Sequence, residues 1–284
     1  MTIVEATVNG AISLVNAIAT GNGATLGIDT FVKTRLEVKE GTGIYITADN
    51  KTISSKLINK VIENSVPKRQ LQNTKLELDF KSNIPTGYGL KSSSAISTAV
   101  TMACSKAFKR KFTDREILGI GVKSSLQTKV SITGAFDDAC GCYYGGFNVT
   151  NNYKRNLVLR CPAPTNLQAI IFLPKSRKRG NIKKLKNFKP AFEKAWELAK
   201  NSDFWNALIL NGLATSSILN TNPKLILRLM EKGAIGASIS GNGPSIVAIT
   251  KKGNNSNIKK EFSSLEGDII ISNINNKKAE VHEV

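Results

Sequence analysis

The strongest structural signal in the chain is the stretch Pro85-Thr86-Gly87-Tyr88-Gly89-Leu90-Lys91-Ser92-Ser93-Ser94-Ala95. Before it, Lys75–Phe80 alternates polar and apolar residues, which is typical of a half-buried β-strand because successive side chains point to opposite faces. After it, alanine and aliphatic residues recur at helical spacing from residue 93 to residue 107, which predicts an amphipathic helix. The sequence therefore predicts a strand, a glycine-rich turn and a helix in direct succession.

This arrangement is suited to binding phosphate. Gly87 and Gly89 allow positive φ and a close approach of the backbone, so that successive N–H groups converge on an anion. The first turn of the following helix adds free N–H groups and the positive end of the helix dipole. Lys91 and the hydroxyl groups of Ser92–Ser94 can neutralise charge, donate hydrogen bonds and offer an oxygen to Mg²⁺. We therefore predict a phosphate-binding loop, although it is not a GxxxxGK[ST] loop; a capped turn without a ligand is the alternative.

The composition of the 284-residue chain excludes two kinds of catalytic site. Its single histidine, His282, lies in a charged segment at the C-terminal end, so a nucleophile activated by imidazole is not expected. The four cysteines form no CxxC pair, which argues against a zinc site; they are Cys104, Cys140, Cys142 and Cys161. Proton transfer is therefore left to aspartate, glutamate, lysine or tyrosine.

The charge of the chain is strongly positive and unevenly distributed. There are 40 basic and 21 acidic residues, and residues 151–284 hold 22 of the basic and 9 of the acidic ones. The segment Lys175–Lys189 alone carries eight positive charges and no negative ones. Such a field favours an anionic partner, which could be nucleic acid, a membrane surface or a phosphorylated small molecule. A solvated connection without a ligand is the alternative interpretation.

The same composition indicates a cellular compartment. No stretch approaches the roughly 20 consecutive apolar residues of a membrane span. The N-terminal residues include Glu5 and lack the basic region of a secretory signal, and sparse, unspaced cysteines fit a reducing environment. We therefore expect a soluble, cytoplasmic protein with no membrane partner, while its oligomeric state stays open.

The second half of the chain predicts a separate architecture. After the turn at residues 161–166, the signals follow in the order strand, two helices, two strands, helix, strand, as in a ferredoxin-like layer. These elements are expected at residues 167–173, 190–210, 223–232, 237–240, 245–250, 259–265 and 268–274. The predicted fold class is α+β with two domains, an N-terminal α/β domain at residues 1–160 and a ferredoxin-like domain at residues 161–284.

Two motifs resemble those of a known family. The stretch Pro85–Ala95 resembles the central phosphate-loop motif of the GHMP kinases, a family of small-molecule kinases, and the turn Ser240–Ser245 is similar to that family's C-terminal motif. The resemblance implies an N-terminal domain that cradles ATP, a ferredoxin-like C-terminal domain and an active site between them. It also implies Mg²⁺ as the metal and ATP contacts from Pro85, Thr86, Gly87, Tyr88, Gly89, Leu90, Lys91, Ser92, Ser93, Ser94, Ala95, Gly241, Asn242 and Gly243.

Within this family, Asn9–Asp29 and Thr133–Gly146 resemble the archaeal type of shikimate kinase. That resemblance implies transfer of a phosphoryl group from ATP to the 3-hydroxyl of shikimate, on the route to chorismate and the aromatic amino acids. A homoserine or mevalonate-type alcohol is an alternative acceptor. A nucleic-acid-binding protein that uses Lys175–Lys189 is a further alternative, which the aromatic content of 6% disfavours. We therefore expect a small-molecule enzyme without a nucleic-acid partner.

Asp137 and Asp138 form the acidic pair best suited to catalysis. Phosphoryl transfer needs a group that accepts the hydroxyl proton, and a carboxylate is the natural base where no histidine is usable. Several GHMP kinases place an aspartate shortly before a Gly-Gly pair, here Gly145-Gly146; the mevalonate-kinase spacing favours Asp138 and the homoserine-kinase spacing favours Asp137. We assign Asp137 as the base, Asp138 as a metal or structural partner and Lys91 as the group that offsets developing charge. A helix-capping pair without chemistry is the alternative.

The metal ligands depart from the family pattern. Many GHMP kinases carry a glutamate upstream of this aspartate as a Mg²⁺ ligand, but Leu126 and Gln127 occupy that place here. We therefore expect Ser93 and Asp138 to bind Mg²⁺, or the ion to retain more of its water.

Three polar residues are expected to contact the substrate. Asn16 and Asp29 flank the glycine-rich segment Gly21–Gly27, which we interpret as a loop in the wall of the site. Their side chains could hydrogen-bond a polyhydroxylated ring, and Thr133 is expected to do the same. Ordinary capping of nearby elements is the alternative role for these residues.

Overall fold

The computed structural model describes residues 2–49, 53–219 and 221–284 of the chain. The strands are β1 (Thr2–Val15), β2 (Asn22–Glu40), β3 (Gly43–Ala48), β4 (Thr74–Ser82), β5 (Phe147–Asn151), β6 (Asn156–Cys161), β7 (Leu167–Pro174), β8 (Gly236–Ile239), β9 (Ile246–Lys251), β10 (Gly267–Asn273) and β11 (Glu280–Glu283). The helices are α1 (Ser55–Ser65), α2 (Lys68–Leu71), α3 (Ser92–Ala107), α4 (Asp114–Gln127), α5 (Phe136–Tyr144), α6 (Lys189–Lys200), α7 (Phe204–Ile218), α8 (Pro223–Glu231) and α9 (Ser256–Ser263). A 3₁₀ helix spans Ile182–Phe188.

The first sheet is built around the long antiparallel hairpin of β1 and β2. Its strand order is β11-β1-β2-β4-β3, and β5 pairs with β2 and carries β6 at its other edge. Helices α3 and α5 pack on one face of this sheet against β1 and β2. On β4, Leu76, Leu78 and Phe80 are at most 1% exposed, so the alternating pattern of this stretch is confirmed as a half-buried strand.

The second sheet has the order β10-β7-β9-β8, and every neighbouring pair in it is antiparallel. Helices α6, α7 and α8 connect β7 to β8, and α9 connects β9 to β10. The resulting alternation of strands and helices is that of a ferredoxin-like layer, and the predicted two-part α+β architecture is therefore confirmed. Phe192, Leu229 and Phe262 fill the core under this sheet with no exposed surface.

Two predicted elements were wrong. The helix expected over residues 190–210 is two helices, because Ser202 takes a positive φ of 66° and Asp203 begins α7 by accepting a hydrogen bond from the Asn206 amide. The segment Gly21–Gly27, expected as a loop, lies in β2 from Asn22 onward and pairs with both β1 and β5. Glycine at these positions reflects close packing of the strand, as described below for Gly23.

The C-terminal residues return to the first sheet. β11 pairs with β1, which places Glu5 opposite His282, and the His282 Nε2 lies 3.9 Å from the Glu5 carboxylate at the surface. The described cysteines are free thiols. The domain boundary after residue 160 stays a prediction; the chain leaves the first sheet at the end of β6 and enters the second at β7, and β11 belongs to the first sheet. None of the helices in the described ranges is long and apolar enough to cross a membrane.

Candidate active site

A cleft of about 400 Å³ lies where the phosphate loop meets the second sheet. Its walls come from the end of β1, the loop before α3, the loop before α5 and the turn between β8 and β9. The residues of the predicted site that line it are Asn16, Gly87, Gly89, Leu90, Lys91, Ser92, Ser93, Ser94, Thr133, Asp137, Asp138, Gly241, Asn242 and Gly243. The fold therefore gathers most of the predicted residues into one cavity.

The loop before α3 has the geometry of an anion site. Gly87 and Gly89 take positive φ of 85° and 81°, and Lys91 itself lies in the left-handed region with φ 68° and ψ 23° just before α3 begins. The free N–H groups of the first turn of α3 therefore face the cleft together with the positive end of its dipole. Ser92 and Ser94 are mostly buried.

Some residues of the predicted loop support its shape instead of lining the cleft. The carbonyl of Tyr88 accepts hydrogen bonds from the Ser245 amide at 3.3 Å and the Ser245 hydroxyl at 2.6 Å, which ties the loop to the second sheet. Ala95 is buried in α3 with no exposed surface. Pro85 and Thr86, like these two, are not among the lining residues. The contacts with ATP expected for these four positions stay predictions.

The glycine-rich turn between β8 and β9 packs directly on the phosphate loop. The Ser240 hydroxyl donates to the Gly89 carbonyl at 2.8 Å, and a Cβ at Gly89 would lie 2.1 Å from the Ser240 carbonyl oxygen. Across the cleft, the Asn16 amide donates to the Gly241 carbonyl at 2.7 Å. This contact joins the end of β1 to the turn, so Asn16 holds the two halves of the cleft together.

A buried ion pair lies at the floor of the cleft. The Lys91 ammonium is 2.8 Å from the Asp138 carboxylate and donates to the Ser13 hydroxyl at 2.7 Å. The Lys91 side chain is only 4% exposed, whereas that of Asp138 is 23% exposed. Burial lowers the pKa of Lys91, but the negative charges of Asp138 and Asp137 together have a larger effect in the opposite direction. The pKa of the lysine is therefore raised overall, and the ammonium stays charged.

Asp137, which precedes Asp138 in the first turn of α5, is held from two sides. Asn152 donates from its amide nitrogen to the Asp137 carboxylate at 2.6 Å and accepts from the Asp137 backbone amide at 3.0 Å. The other carboxylate oxygen lies so close to Gly23 that a Cβ there would be 2.5 Å away. Burial and the negative charge of Asp138 raise the pKa of Asp137 to about 7, against the lowering effects of Lys91 and Asn152.

Asn152, which is 1% exposed, was not among the residues predicted from the sequence. Its amide also contacts the Thr133 hydroxyl at 3.3 Å, its carbonyl oxygen accepts from Thr150 at 3.0 Å, and its backbone amide donates to Gly21 at 2.7 Å. The sequence carries no signal for this role, because asparagine after a strand is typical of an exposed turn.

Comparison with known proteins identifies the family of the chain that forms this cleft. The family model described as GHMP kinases N terminal domain matches residues 56–146, and the model described as GHMP kinases C terminal matches residues 188–266. The chain belongs to the GHMP kinases. The expectation drawn from the two glycine-rich motifs is therefore confirmed.

Curated relatives of this GHMP kinase match it over nearly its full length. It is 31% identical to a protein named shikimate kinase from Methanothermobacter thermautotrophicus over 100% of both chains. It is 35% identical to a protein of the same name from Methanosarcina acetivorans, over 95% of this chain and 93% of the relative. The resemblance to the archaeal type of shikimate kinase is therefore confirmed.

Solved structures agree on the fold. Homoserine kinase from Cytophaga hutchinsonii superposes with a TM-score of 0.75 at 20% identity, over 99% of this chain and 97% of the other. The mevalonate kinase of Methanococcus jannaschii superposes with a TM-score of 0.78 at 15% identity, over 96% and 98%. At these identities the likeness establishes the GHMP-kinase fold and nothing about the acceptor.

Of the three predicted substrate residues, two line the cleft of this GHMP kinase. Asn16 and Thr133 are among its walls, whereas Asp29 is not. The Asp29 carboxylate accepts hydrogen bonds from the Asn273 backbone amide at 2.9 Å and side-chain amide at 2.8 Å, and its backbone amide donates to the Ser272 hydroxyl at 3.1 Å. Asp29 therefore joins β2 to β10 outside the cleft, and its contact with the substrate stays a prediction.

The donor set of the cleft fits a metal ion held mainly by the nucleotide. Within the described ranges no group of three His, Cys, Asp or Glu side chains could bind a metal by itself. Ser93 and Asp138 both line the cleft and offer oxygen atoms. Mg²⁺ commonly binds through one or two protein oxygens plus substrate phosphates and water, so these two residues are compatible with it.

The outer face of the first sheet carries a larger hollow, of about 590 Å³. Most of its charged side chains are paired: Lys33 lies 2.6 Å from Glu5, and Arg35 lies 2.9 Å from Glu37. Its lining residues include none of the glycine-rich loop before α3 or of the glycine-rich turn between β8 and β9. The smaller cleft, which has both, is therefore our candidate active site.

Proposed function

We propose that this protein transfers the γ-phosphoryl group of ATP to the 3-hydroxyl of shikimate, giving shikimate 3-phosphate and ADP. The observation that carries the proposal is the buried Lys91–Asp138 pair at 2.8 Å, which lies beside the phosphate loop in the same cleft. Full-length relatives named shikimate kinase support shikimate as the acceptor.

In this proposal the phosphate loop binds ATP. The N–H groups around Gly87 and Gly89 and at the start of α3 would hold the phosphates, and Lys91 would offset the charge that develops on the transferred group. The turn Gly241–Gly243 closes the opposite wall. Bound Mg²⁺ would supply further charge neutralisation, with the Ser93 hydroxyl as the protein oxygen that holds it. Asp138 would be a second protein ligand only in the alternative in which Asp137 is the base.

Asp138 is our candidate for the base that accepts the proton of the attacking hydroxyl. Its side chain is partly exposed to the cleft and is positioned by the Lys91 ammonium, so an acceptor hydroxyl can approach it. Asp137 is only 4% exposed and both its oxygen atoms have close neighbours in Asn152 and Gly23, which suits a positioning role.

The assignment of Asp137 as the base, which the sequence suggested, stays the alternative. It is favoured by the raised pKa of Asp137, about 7, because a general base is most effective when its pKa lies near the working pH. Asp138 would then bind the metal ion or hold Lys91.

Two exchanges decide between the carboxylates. Asp138→Asn is expected to lower kcat by roughly 10²–10⁴-fold, with the KM for ATP little changed, since it removes a proton acceptor. Asp137→Asn should cost less, because the amide keeps the shape of the side chain. The exposed Asp268→Asn serves as the control for loss of one negative charge. A larger loss in Asp137→Asn than in Asp138→Asn would transfer the base role to Asp137.

The acceptor is tested by a substrate panel. Release of ADP is measured in a coupled assay with ATP, Mg²⁺ and shikimate, homoserine or mevalonate in parallel. We expect turnover with shikimate. Turnover with homoserine or mevalonate alone would contradict shikimate as the acceptor and leave a small-molecule kinase of another specificity.

A further inference from the structure

The basic segment Lys175–Lys189 has no role in the proposed function so far, yet it lies at the cleft. The Arg179 guanidinium donates a hydrogen bond to the Gly87 carbonyl of the phosphate loop. The Arg177 guanidinium lies 5.0 Å above the centre of the Tyr88 ring. A Cβ at Gly180 would lie 2.5 Å from Leu219, so the backbone here packs tightly on the end of α7. The segment is therefore docked at the edge of the phosphate loop.

Among the described residues that line the cleft, the cations are Lys91, Lys129 and Arg179. Lys91 is occupied by Asp138 and Ser13, and it lies with the loop N–H groups where phosphates would bind. Lys129 follows α4 in a left-handed conformation with φ 59° and is exposed. Arg179 is hydrogen-bonded to the Gly87 carbonyl of the phosphate loop, and its guanidinium has further N–H donors beyond the one that this bond uses.

The acceptor of the proposed reaction brings a second anionic group into the cleft. The phosphates of ATP have the loop amides, the helix dipole and Lys91 as partners. The carboxylate of shikimate lies at the other end of a six-membered ring from the hydroxyls and needs a cation of its own. An anionic group that loses water without such a partner pays a large desolvation penalty.

The cleft also has apolar lining residues on which a ring could pack. Ile182, three residues further along the basic segment, and Ile18, after the end of β1, both line the cleft. Both also pack into the hydrophobic core of the second sheet. Ring carbons could therefore rest on these isoleucines while the carboxylate reaches the guanidinium.

We infer that Arg179 binds the carboxylate of the acceptor, which makes the basic segment the specificity element of the site. The inference rests on the proposed function. One donor of the guanidinium is fixed on the Gly87 carbonyl, and the planar fork keeps further N–H donors that match the two oxygens of a carboxylate. Anchoring on the phosphate loop also places this carboxylate site at a fixed distance from the transferred phosphoryl group.

The test compares two proteins on two substrates. Wild type and Arg179→Ala are assayed with shikimate and with its methyl ester, which keeps the hydroxyls and removes the negative charge. Wild type is expected to lose about 10–100-fold in kcat/KM on going from the acid to the ester, in keeping with a charged hydrogen bond. Arg179→Ala should lose a similar factor with shikimate and little more with the ester.

Two further variants make the result specific. Lys178→Ala removes one positive charge from the neighbouring exposed position, which does not line the cleft, and should behave as wild type. Arg179→Lys keeps the charge without the planar fork and should recover only part of the lost kcat/KM. The KM for ATP should change less than about threefold in Arg179→Ala, as expected for a residue that contacts the acceptor.

Three results would overturn the assignment. The first is an unchanged KM for shikimate in Arg179→Ala, the second a rise in the KM for ATP alone, and the third an ester penalty as large in Arg179→Ala as in wild type. Failure of wild type to phosphorylate shikimate would contradict the proposed function itself, and the assignment of Arg179 would fall with it. The two failures are thus told apart by the wild-type reaction with shikimate.

Discussion

Replacing Gly23 by alanine tests whether the position of Asp137 controls catalysis. A Cβ at residue 23 would meet the Asp137 carboxylate oxygen at 2.5 Å, its Cγ at 2.8 Å and its Cβ at 2.9 Å. An ordinary contact begins at 3.4 Å, so the oxygen would have to retreat by about 0.9 Å. Asn152 holds the same carboxylate at 2.6 Å, which leaves little room for that movement.

The size of the effect follows from this geometry. Inserting a methyl group into a packed site costs about 1–3 kcal/mol of folding free energy. Asp137 and Asp138 are neighbours in the first turn of α5, so the displacement reaches the Lys91–Asp138 pair. A misplacement of about 1 Å can lower turnover by around 100-fold, so we expect kcat to fall by about 10–100-fold.

Steady-state kinetics are measured at a protein concentration and temperature where Gly23→Ala is folded. Urea unfolding measures the stability of the same protein. Gly119→Ala is the matched control, because a Cβ at residue 119 of α4 would have no neighbour within 4 Å. That control should gain about 1 kcal/mol of stability from helix propensity and keep its activity. A Gly23→Ala protein with wild-type stability and a kcat within twofold of wild type would refute the reasoning.

Two further predictions concern titration and thiol chemistry. Because the folded-state pKa of Asp137 is raised to about 7 from 3.8, the stabilisation from its protonated form is present below pH 4 and is lost as the pH rises to about 7. Urea titrations should therefore show that the free energy of unfolding of wild type, relative to that of Asp137→Asn, falls by up to about 1.4 kcal/mol per pH unit between pH 4 and pH 7. Above pH 7 the difference between the two proteins should stay level. A difference that is constant over the whole range would exclude the raised pKa. In native protein, Ellman's reagent should modify Cys161 first, because Cys161 is only partly buried whereas Cys104, Cys140 and Cys142 are buried. Burial raises the pKa of all four thiols, that of Cys104 to about 12 and those of Cys140 and Cys142 well above normal. All four should react in denaturant, and fast native labelling of the buried three would contradict their burial.

Predictions from the sequence succeeded where the signal was local. The alternation on β4, the glycine-rich loop and the helix after it depend on neighbouring residues and were found as expected. The helix over residues 190–210 was mispredicted because apolar periodicity continues across the break. Only the left-handed conformation of Ser202 and the cap at Asp203 divide it.

The site could be predicted only in part, for the same reason. Asp137, Asp138 and Lys91 were predicted from their chemical type and motif and line one cleft, but Asn152 lies in a turn with no distinguishing pattern. Asp29 was expected to contact the substrate or to cap a nearby element, and its carboxylate is bound to Asn273. Which polar side chains are already satisfied depends on partners that are distant in the chain, so no local pattern reports it.

By itself, the sequence determined the kind of chemistry available to this GHMP kinase. A glycine-rich loop before a helix binds anions through backbone conformation, and a chain whose single histidine is remote from the loop is left with carboxylate and lysine for proton and charge transfer. The tertiary structure alone decided that Asp138 pairs with Lys91 while Asp137 is enclosed by Asn152 and Gly23. It also decided that Arg179 reaches Gly87 from the second sheet. Such distances are set by strand register and by the packing of one sheet on the other, which join segments far apart in the sequence.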